Sequence, residues 1–335
     1  MDKELIILSD NFGTSFSGGC TATANFVRFW KDSFKEVHVV CKNTDDFLKD
    51  NIVFWYYEDE KSLDEILSKL AMKSTIGYGD YHTAVAFIKH NIPFYFTYHD
   101  NYPELGEVLT SNSKVEMMMN NYSQIFSFAK YVFSVSNSKL DYIKSNTENC
   151  LVVRNGISQL YTKKEKLNIG ADEELSILMA GNVSGRKFQF AIELFNIILK
   201  SGRINLKVDI FGSNHDDKIF EQLSKFDFVN LFPFRSNISY KDYHIYLCTS
   251  TMENLSLSVV DAIKNCTPVI AFDVGGLGEV INNKNGILVQ PYDVENMYRE
   301  IQKIRKTMSR FYFDGQELDN YDWKKSANIM LNIMH

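Results

Sequence analysis

The chain alternates. Short β-branched or aromatic runs are separated by segments of helical period, first over residues 1–153 and again from residue 175 onward. In the first series, strands are expected at 4–8, 37–41, 52–56, 75–78, 94–98, 132–135 and 151–153, with helices over 20–32, 62–72, 82–90 and 114–129. In the second, "LSILMAG", "LKVDIFG", "VNLFPF", "HIYLCT", "PVIAF" and "GILVQ" read as strands, with helices over 187–200, 216–224 and 256–265. Alternation of this kind demands parallel sheet, because parallel neighbours need a crossover that a tight turn cannot supply. It also says where to look for function. In open parallel sheets ligands sit outside the carboxyl ends of the strands, so residues just past a strand are the candidates.

A length of 335 residues exceeds what one core usually serves, and two doubly wound α/β domains facing across a cleft are expected. The first would span 1–156, hinged near Asn155 and Gly156. A polar stretch at 157–174 has the composition of a linker, and the second domain would span 175–318. The net charge of -6 lacks the basic excess of a nucleic-acid binder. Five scattered cysteines with no CxxC pair point away from a zinc site or disulfide framework and fit a reducing cytoplasm. No apolar run approaches the roughly 18 to 20 residues that span a bilayer.

Four strand exits carry chemistry. "SDNFGTSFSGGC" holds Gly13, Gly18 and Gly19 before a helix, where backbone amides can approach an anion; a flexible loop explains it equally well. "YFTYHDNYPE" puts His99 and Asp100 at a strand end, either as ligands for a substrate hydroxyl or as a plain turn begun by Asp100, Asn101 and Pro103. "ILMAGNVSGRKF" places a glycine turn at Gly181 and then Arg186 and Lys187 at a helix start. Cations there oppose the macrodipole unless an anion lies between, and a phosphate would supply it; an exposed basic pair is the bland alternative. Finally, in "MENLSLSVVDAIKN", Glu253 precedes a helix whose first amides, at Asn254, Leu255 and Ser256, are unsatisfied. Leu257, Val260 and Ile263 would face the core. Asp261, about two turns beyond Glu253, shares a face with Leu257 and is a good acceptor for ribose hydroxyls. One capping acid and one solvated acid would also account for the pair. The acids of "NTDDF" and "YEDEK" lie in polar segments and are expected to face solvent.

Together these stretches resemble the retaining glycosyltransferases of family 4, which have the GT-B fold and an acid-x7-acid motif. "ENLSLSVVDAIKNCTPVIA" matches that motif, with Asp261 in place of the usual glutamate. "GGLGEVI", "NKNGILVQPYD", "VVRNGIS", "IPFYFTYHD" and a closing "YDWKKSANIML" resemble further family segments, strongly over 151–331 and more loosely over 1–150. The resemblance implies that the closing helix, 319–335, crosses back to the first domain. It implies that Glu253 contacts donor-sugar hydroxyls, Asp261 holds the ribose, and Lys187 with the Leu255 and Ser256 amides meets the diphosphate. His99 would lie against the transferred sugar, and Gly18 and Gly19 would let a loop close over the phosphates. Glu279 would be a structural or donor-side residue.

The chain departs from the family's pattern at several places. Asn182 stands where many members have an arginine, for which Arg186 would substitute, and Asn254 and Ser256 stand where glycines are usual. The implied reaction moves a hexose-type sugar from a nucleotide diphosphate sugar (UDP first, GDP next) to a saccharide or lipid-linked saccharide, with retention, no metal and no other cofactor. Partners would be that donor and acceptor, with no nucleic acid. The setting would be the cytoplasm, with the basic stretch 299–310 either touching the inner membrane face or forming a solvated helix face. An epimerase or a phosphorylase of the same fold, and a catalytically silent GT-B subunit supporting a partner transferase, are the competing readings. Retained Glu253, Asp261 and Lys187 speak against a silent subunit.

Overall fold

The computed structural model describes residues 3–105, 113–157, 169–170, 173–202, 205–313 and 320–335. Most of the linker-like stretch, and the first residue of the closing segment, lie outside them. The chain divides into two compact units, Met1–Gly156 with Asn320–His335, and Ile157–Asp319.

Unit 1 contains β1 (Glu4–Leu8), β2 (Asn11–Phe12), α1 (Gly18–Trp30), β3 (Glu36–Cys41), β4 (Asn43–Thr44), β5 (Val53–Tyr56), α2 (Glu60–Leu70), β6 (Thr75–Gly79), α3 (Ala86–Lys89), β7 (Phe94–Tyr98), α4 (Ser113–Phe128), β8 (Tyr131–Ser134), α5 (Leu140–Lys144) and β9 (Cys150–Val152). Unit 2 contains β10 (Leu175–Ala180), α6 (Gly185–Ser201), β11 (Leu206–Phe211), α7 (Asp217–Leu223), β12 (Val229–Phe232), β13 (Ile245–Cys248), α8 (Leu257–Lys264), β14 (Val269–Phe272), β15 (Gly286–Val289) and α9 (Val294–Thr307). The last helix, α10 (Trp323–Met334), belongs to unit 1.

The seven-stranded sheet of unit 1 runs β5-β3-β1-β6-β7-β8-β9, and the six-stranded sheet of unit 2 runs β12-β11-β10-β13-β14-β15. Every pairing in both is parallel. Each order reverses once, between β1 and β6 in unit 1 and between β10 and β13 in unit 2. Those two reversal points are where an open sheet leaves room for a ligand at its carboxyl edge. The central strands are buried on both faces, which is why they read as unbroken apolar runs.

Helix α10 buries Trp323, Ala327, Met330 and Met334, one stripe of helical period. The Trp30 indole N–H donates to the Ala327 carbonyl at 2.9 Å, and the Ser326 hydroxyl donates to the Arg154 carbonyl at 2.6 Å. Phe26 meets Trp323 edge-on at 5.4 Å. Gly156 lies flat against the start of this helix, since a Cβ there would stand 2.3 Å from the Trp323 backbone nitrogen.

Three expectations need correction. The segment 82–90 is not one helix but a 3-10 turn over His82–Val85 followed by short α3, because Thr83 and Val85 are stiff, poor helix formers. In α8 the buried residues are Val259, Val260, Ala262 and Ile263, while Leu257 in the first turn is half-buried. Of the acid clusters, Asp46, Glu58, Asp59 and Glu60 face solvent as expected, whereas Asp45 is half-buried. Asp45 accepts from the Thr14 and Ser15 amides at 2.7 and 2.9 Å, and Asp59 caps α2 in a reciprocal pair with Ser62.

Candidate active site

The reversal point of unit 2 brings the second strand exit of this domain onto the first turn of α6. The Thr251 amide donates to the Arg186 carbonyl at 2.9 Å, and the Thr249 hydroxyl donates to the Lys187 carbonyl at 2.7 Å. These bonds fix the loop after β13 against the helix after β10. The Lys187 ammonium then reaches the Glu253 carboxylate at 3.0 Å. Glu253 is 7 % exposed. Burial alone would push its pKa up. The charges of Lys187 and Arg186, with hydrogen bonds from Lys187 and Ser250, outweigh that and hold it below the ordinary 4.5. The anion that offsets two cations at a helix N-terminus is thus present in the protein itself.

Bare backbone completes the site. Gly275 has φ +56°, and a Cβ there would stand 1.6 Å from the Glu253 carbonyl oxygen. The next amide, Gly276, donates to the Asn254 carbonyl at 3.0 Å. The glycine pair therefore packs directly on the Glu253–Asn254 peptide and sets its height. Gly181, at φ +142°, lies under the Lys187 side chain, whose ammonium is 3.2 Å from where a Cβ would be. Lys187, Tyr246, Cys248, Thr249 and Ser250 line a small hollow of about 10 Å³, room for about one water.

The remaining candidates fall as follows. Asn254, Leu255 and Ser256 are buried at the mouth of α8, with the Ser256 hydroxyl 3.0 Å from that of Ser258. Arg186 is half-buried in the first turn of α6. Asp261 is half-buried on α8, where its charge acts on the Tyr240 phenol. Glu279 is half-buried in the turn Leu277–Glu279.

In unit 1, Gly18 and Gly19 open α1, and the Ser17 hydroxyl caps that helix by accepting from the Cys20 amide at 3.2 Å. Asp45 occupies the Thr14 and Ser15 amides, which removes them from any anion site and leaves the Gly18–Gly19 turn. The His99 ring packs against Gly19, 3.5 Å from where its Cβ would be, and burial lowers the ring's pKa to about 4. Sequence reasoning missed Thr249, Ser250 and Thr251, and gave Gly275 no role beyond membership of a family-like segment. Their signal was only position, immediately past a strand or in a double-glycine turn.

One cluster of described residues has ligand-type atoms close together: Glu4, Glu36 and His38. Lys73 approaches Glu4 at 3.0 Å, and the Trp55 indole donates to His38 Nδ1 at 3.2 Å. That bond leaves the ring proton on Nε2, facing the Glu4 carboxylate at 2.8 Å. The cluster is an ion-pair network at the amino ends of β1 and β3, at the edge opposite the strand exits.

Residues 162–309 match the family model described as glycosyl transferases group 1. A poly(glycerol-phosphate) alpha-glucosyltransferase of Bacillus subtilis is 24% identical over 43% of this chain, which spans 22% of that relative's length. An uncharacterized glycosyltransferase of Haemophilus influenzae is 25% identical over 74% of this chain and 71% of its own. Among solved structures, HepE of Anabaena, in complex with UDP and glucose, superposes with a TM-score of 0.75 over 98% of both chains at 13% identity. The fold is GT-B, with two Rossmann-like domains.

Proposed function

We propose that this chain, a GT-B protein carrying a group 1 glycosyl transferase region at residues 162–309, is a retaining glycosyltransferase. It moves a hexose-type sugar from a nucleotide diphosphate sugar to a saccharide or lipid-linked saccharide, in synthesis of a surface polysaccharide. Unit 2 is the donor domain and unit 1 the acceptor side. The UDP held by HepE puts uridine first among the bases to test, with GDP next.

The observation that carries this reading is the Lys187–Glu253 pair, 3.0 Å apart at the sheet's reversal point. The two charges have separate tasks. Breaking an anomeric carbon–phosphate bond places negative charge on the departing diphosphate. Lys187, Arg186 and the amides of Leu255 and Ser256 supply donors and positive charge fixed before the reaction, in a site with little water. Glu253, ionised because of those cations, accepts from sugar hydroxyls. Asp261 is assigned to the ribose. Charge stabilisation by these groups needs no metal, and the departing phosphate takes the acceptor proton on the same face.

The test is a thermal-shift panel of nucleoside diphosphates and their sugars, on wild type and Lys187→Ala. A ligand that binds only the folded state raises the melting temperature by mass action. A diphosphate should stabilise the wild type and lose that effect in Lys187→Ala, while the nucleoside alone behaves alike in both. Equal diphosphate shifts in both proteins would place the phosphates elsewhere and overturn the assignment.

A further inference from the structure

The turn from β15 into α9 contains a residue that its backbone does not favour. The Asp293 amide donates to the Gln290 carbonyl at 3.1 Å, closing a four-residue turn. Pro291 stands second in it and Tyr292 third, with φ +68° at Tyr292. Those are the marks of a type II turn, whose third residue is ordinarily glycine. A bulky side chain at such a φ is strained, and strain of this kind persists where the surroundings over-determine it, often at functional sites. Burial does not account for the tyrosine, because it is 50 % exposed.

Two sets of contacts hold Tyr292 there. Its ring stacks on Phe190 of α6, with centroids 5.1 Å apart and planes 15° apart, and meets Phe272 of β14 edge-on at 6.0 Å. Its hydroxyl donates to the Thr251 carbonyl at 3.2 Å. Phe190 lies three residues beyond Lys187, on the same face of α6. The Thr249 hydroxyl and the Thr251 amide already bond to α6, on the strand side of the loop. Tyr292 takes the Thr251 carbonyl, on the peptide that leads into Met252 and Glu253. One side chain thus touches both elements that carry the Lys187–Glu253 pair. We propose that Tyr292 is a positioning residue that clamps the Thr251–Asn254 segment to α6 and so holds the Glu253 carboxylate within reach of Lys187. The clamp stands on these contacts alone; its consequence for turnover rests on the transferase reading.

The clamp bears unequally on the two charges. Lys187 is anchored in α6, which buries Phe188, Ala191, Leu194, Phe195 and Ile198. Glu253 stands in the loop between β13 and α8, where a displaced peptide carries its carboxylate along. Loss of Tyr292 should therefore spare contacts to phosphates and disturb those to the sugar. Tyr292→Gly is the sharper variant: glycine suits φ +68°, so the turn is kept while ring and hydroxyl are lost. Relief of strain opposes loss of the stack, and the melting temperature should stay within about 4 °C of wild type. Tyr292→Phe keeps the stack and removes only the bond to Thr251.

Hydrogen exchange on the full chain, read by mass spectrometry, tests the clamp without any ligand. In Tyr292→Gly the amides of residues 249–256 should exchange on the order of tenfold faster than in wild type, with those of β14 and α9 unchanged and Tyr292→Phe in between. In urea unfolding, Glu253→Gln should cost less in the Tyr292→Gly background than in wild type, because the two residues are coupled through one loop. The thermal shift with UDP should match wild type. UDP release from UDP-glucose, UDP-galactose and UDP-N-acetylglucosamine then measures turnover: kcat should fall by a factor on the order of 10–10² with KM little changed. Wild-type exchange over 249–256 in Tyr292→Gly, with turnover lost or kept, would overturn the proposal, as would an undiminished cost of Glu253→Gln in that background. If exchange and coupling change as described while no nucleoside diphosphate protects the wild type, the transferase reading falls and the clamp stands.

Discussion

Lys187 stands in the first turn of α6, where a cation meets the positive end of the helix. Its position is tolerable because Glu253 is 3.0 Å away, and that makes its two roles separable. Removing Lys187 alone leaves a buried carboxylate unpaired, which typically costs about 3–5 kcal/mol. Lys187→Met combined with Glu253→Gln removes both charges. We expect the double variant to recover most of the stability lost in Lys187→Ala, read by urea unfolding, while transfer stays depressed by a factor on the order of 10²–10³. Recovery of transfer along with stability would reduce the pair to a structural role. The pH dependence has a fixed sign. Because the folded pKa of Glu253 lies below 4.5, its contribution is complete above the unfolded value and is lost as pH falls through the folded one. The stability gap between wild type and Glu253→Gln should therefore be constant from pH 8 to 6 and close below about pH 4.5. A gap that instead widened on acidification would contradict the ion-pair assignment.

At the scale of elements, turns decide where the charges sit. The double-glycine turn after β14 was legible in the sequence as a family-like segment, but its purpose was not. Only the fold shows that Gly275 touches the Glu253 carbonyl. Gly275→Ala places a side chain at φ +56° and 1.6 Å from that oxygen. The peptide must move, and with it the Glu253 carboxylate. We expect turnover to fall at least as far as stability, measured by steady-state transfer and thermal melting on the same preparation. A variant that loses stability alone would show that Glu253 is held by α8 rather than by this turn. Helices and strands were far easier to read than turns. Period and β-branching mark an element over many residues, whereas Thr249 and Thr251 matter through two hydrogen bonds to α6. Asp45 of "NTDDF" was misread for the same reason: it is engaged by amides thirty residues away.

At the scale of the whole molecule, the alternation of strands and helices announced two parallel sheets, but no local pattern announced their order. The reversal points arise from long-range pairing, β1 with β6 and β10 with β13. That is why Glu253 and Lys187 could be singled out from local motifs, while their meeting where β10 pairs with β13 could not be read from the sequence. Long-range pairing also makes the two ends of the chain depend on each other. Helix α10 contributes Trp323, Met330 and Met334 to the core of unit 1 and accepts the Trp30 hydrogen bond. Burying a large apolar side chain contributes about 1.5–3 kcal/mol, so three of them approach the whole net stability of a domain, about 5–15 kcal/mol. A chain ending at Asp319 should therefore lose the cooperative melting of unit 1, although it retains every strand of that sheet. Unit 2 has its own core, so nucleoside diphosphate should still raise a melting transition in the shortened chain. Calorimetry with and without UDP separates the two outcomes. If the shortened chain melts as the full one does, α10 is dispensable. If the diphosphate no longer protects any transition, unit 2 does not stand by itself or does not hold the diphosphate.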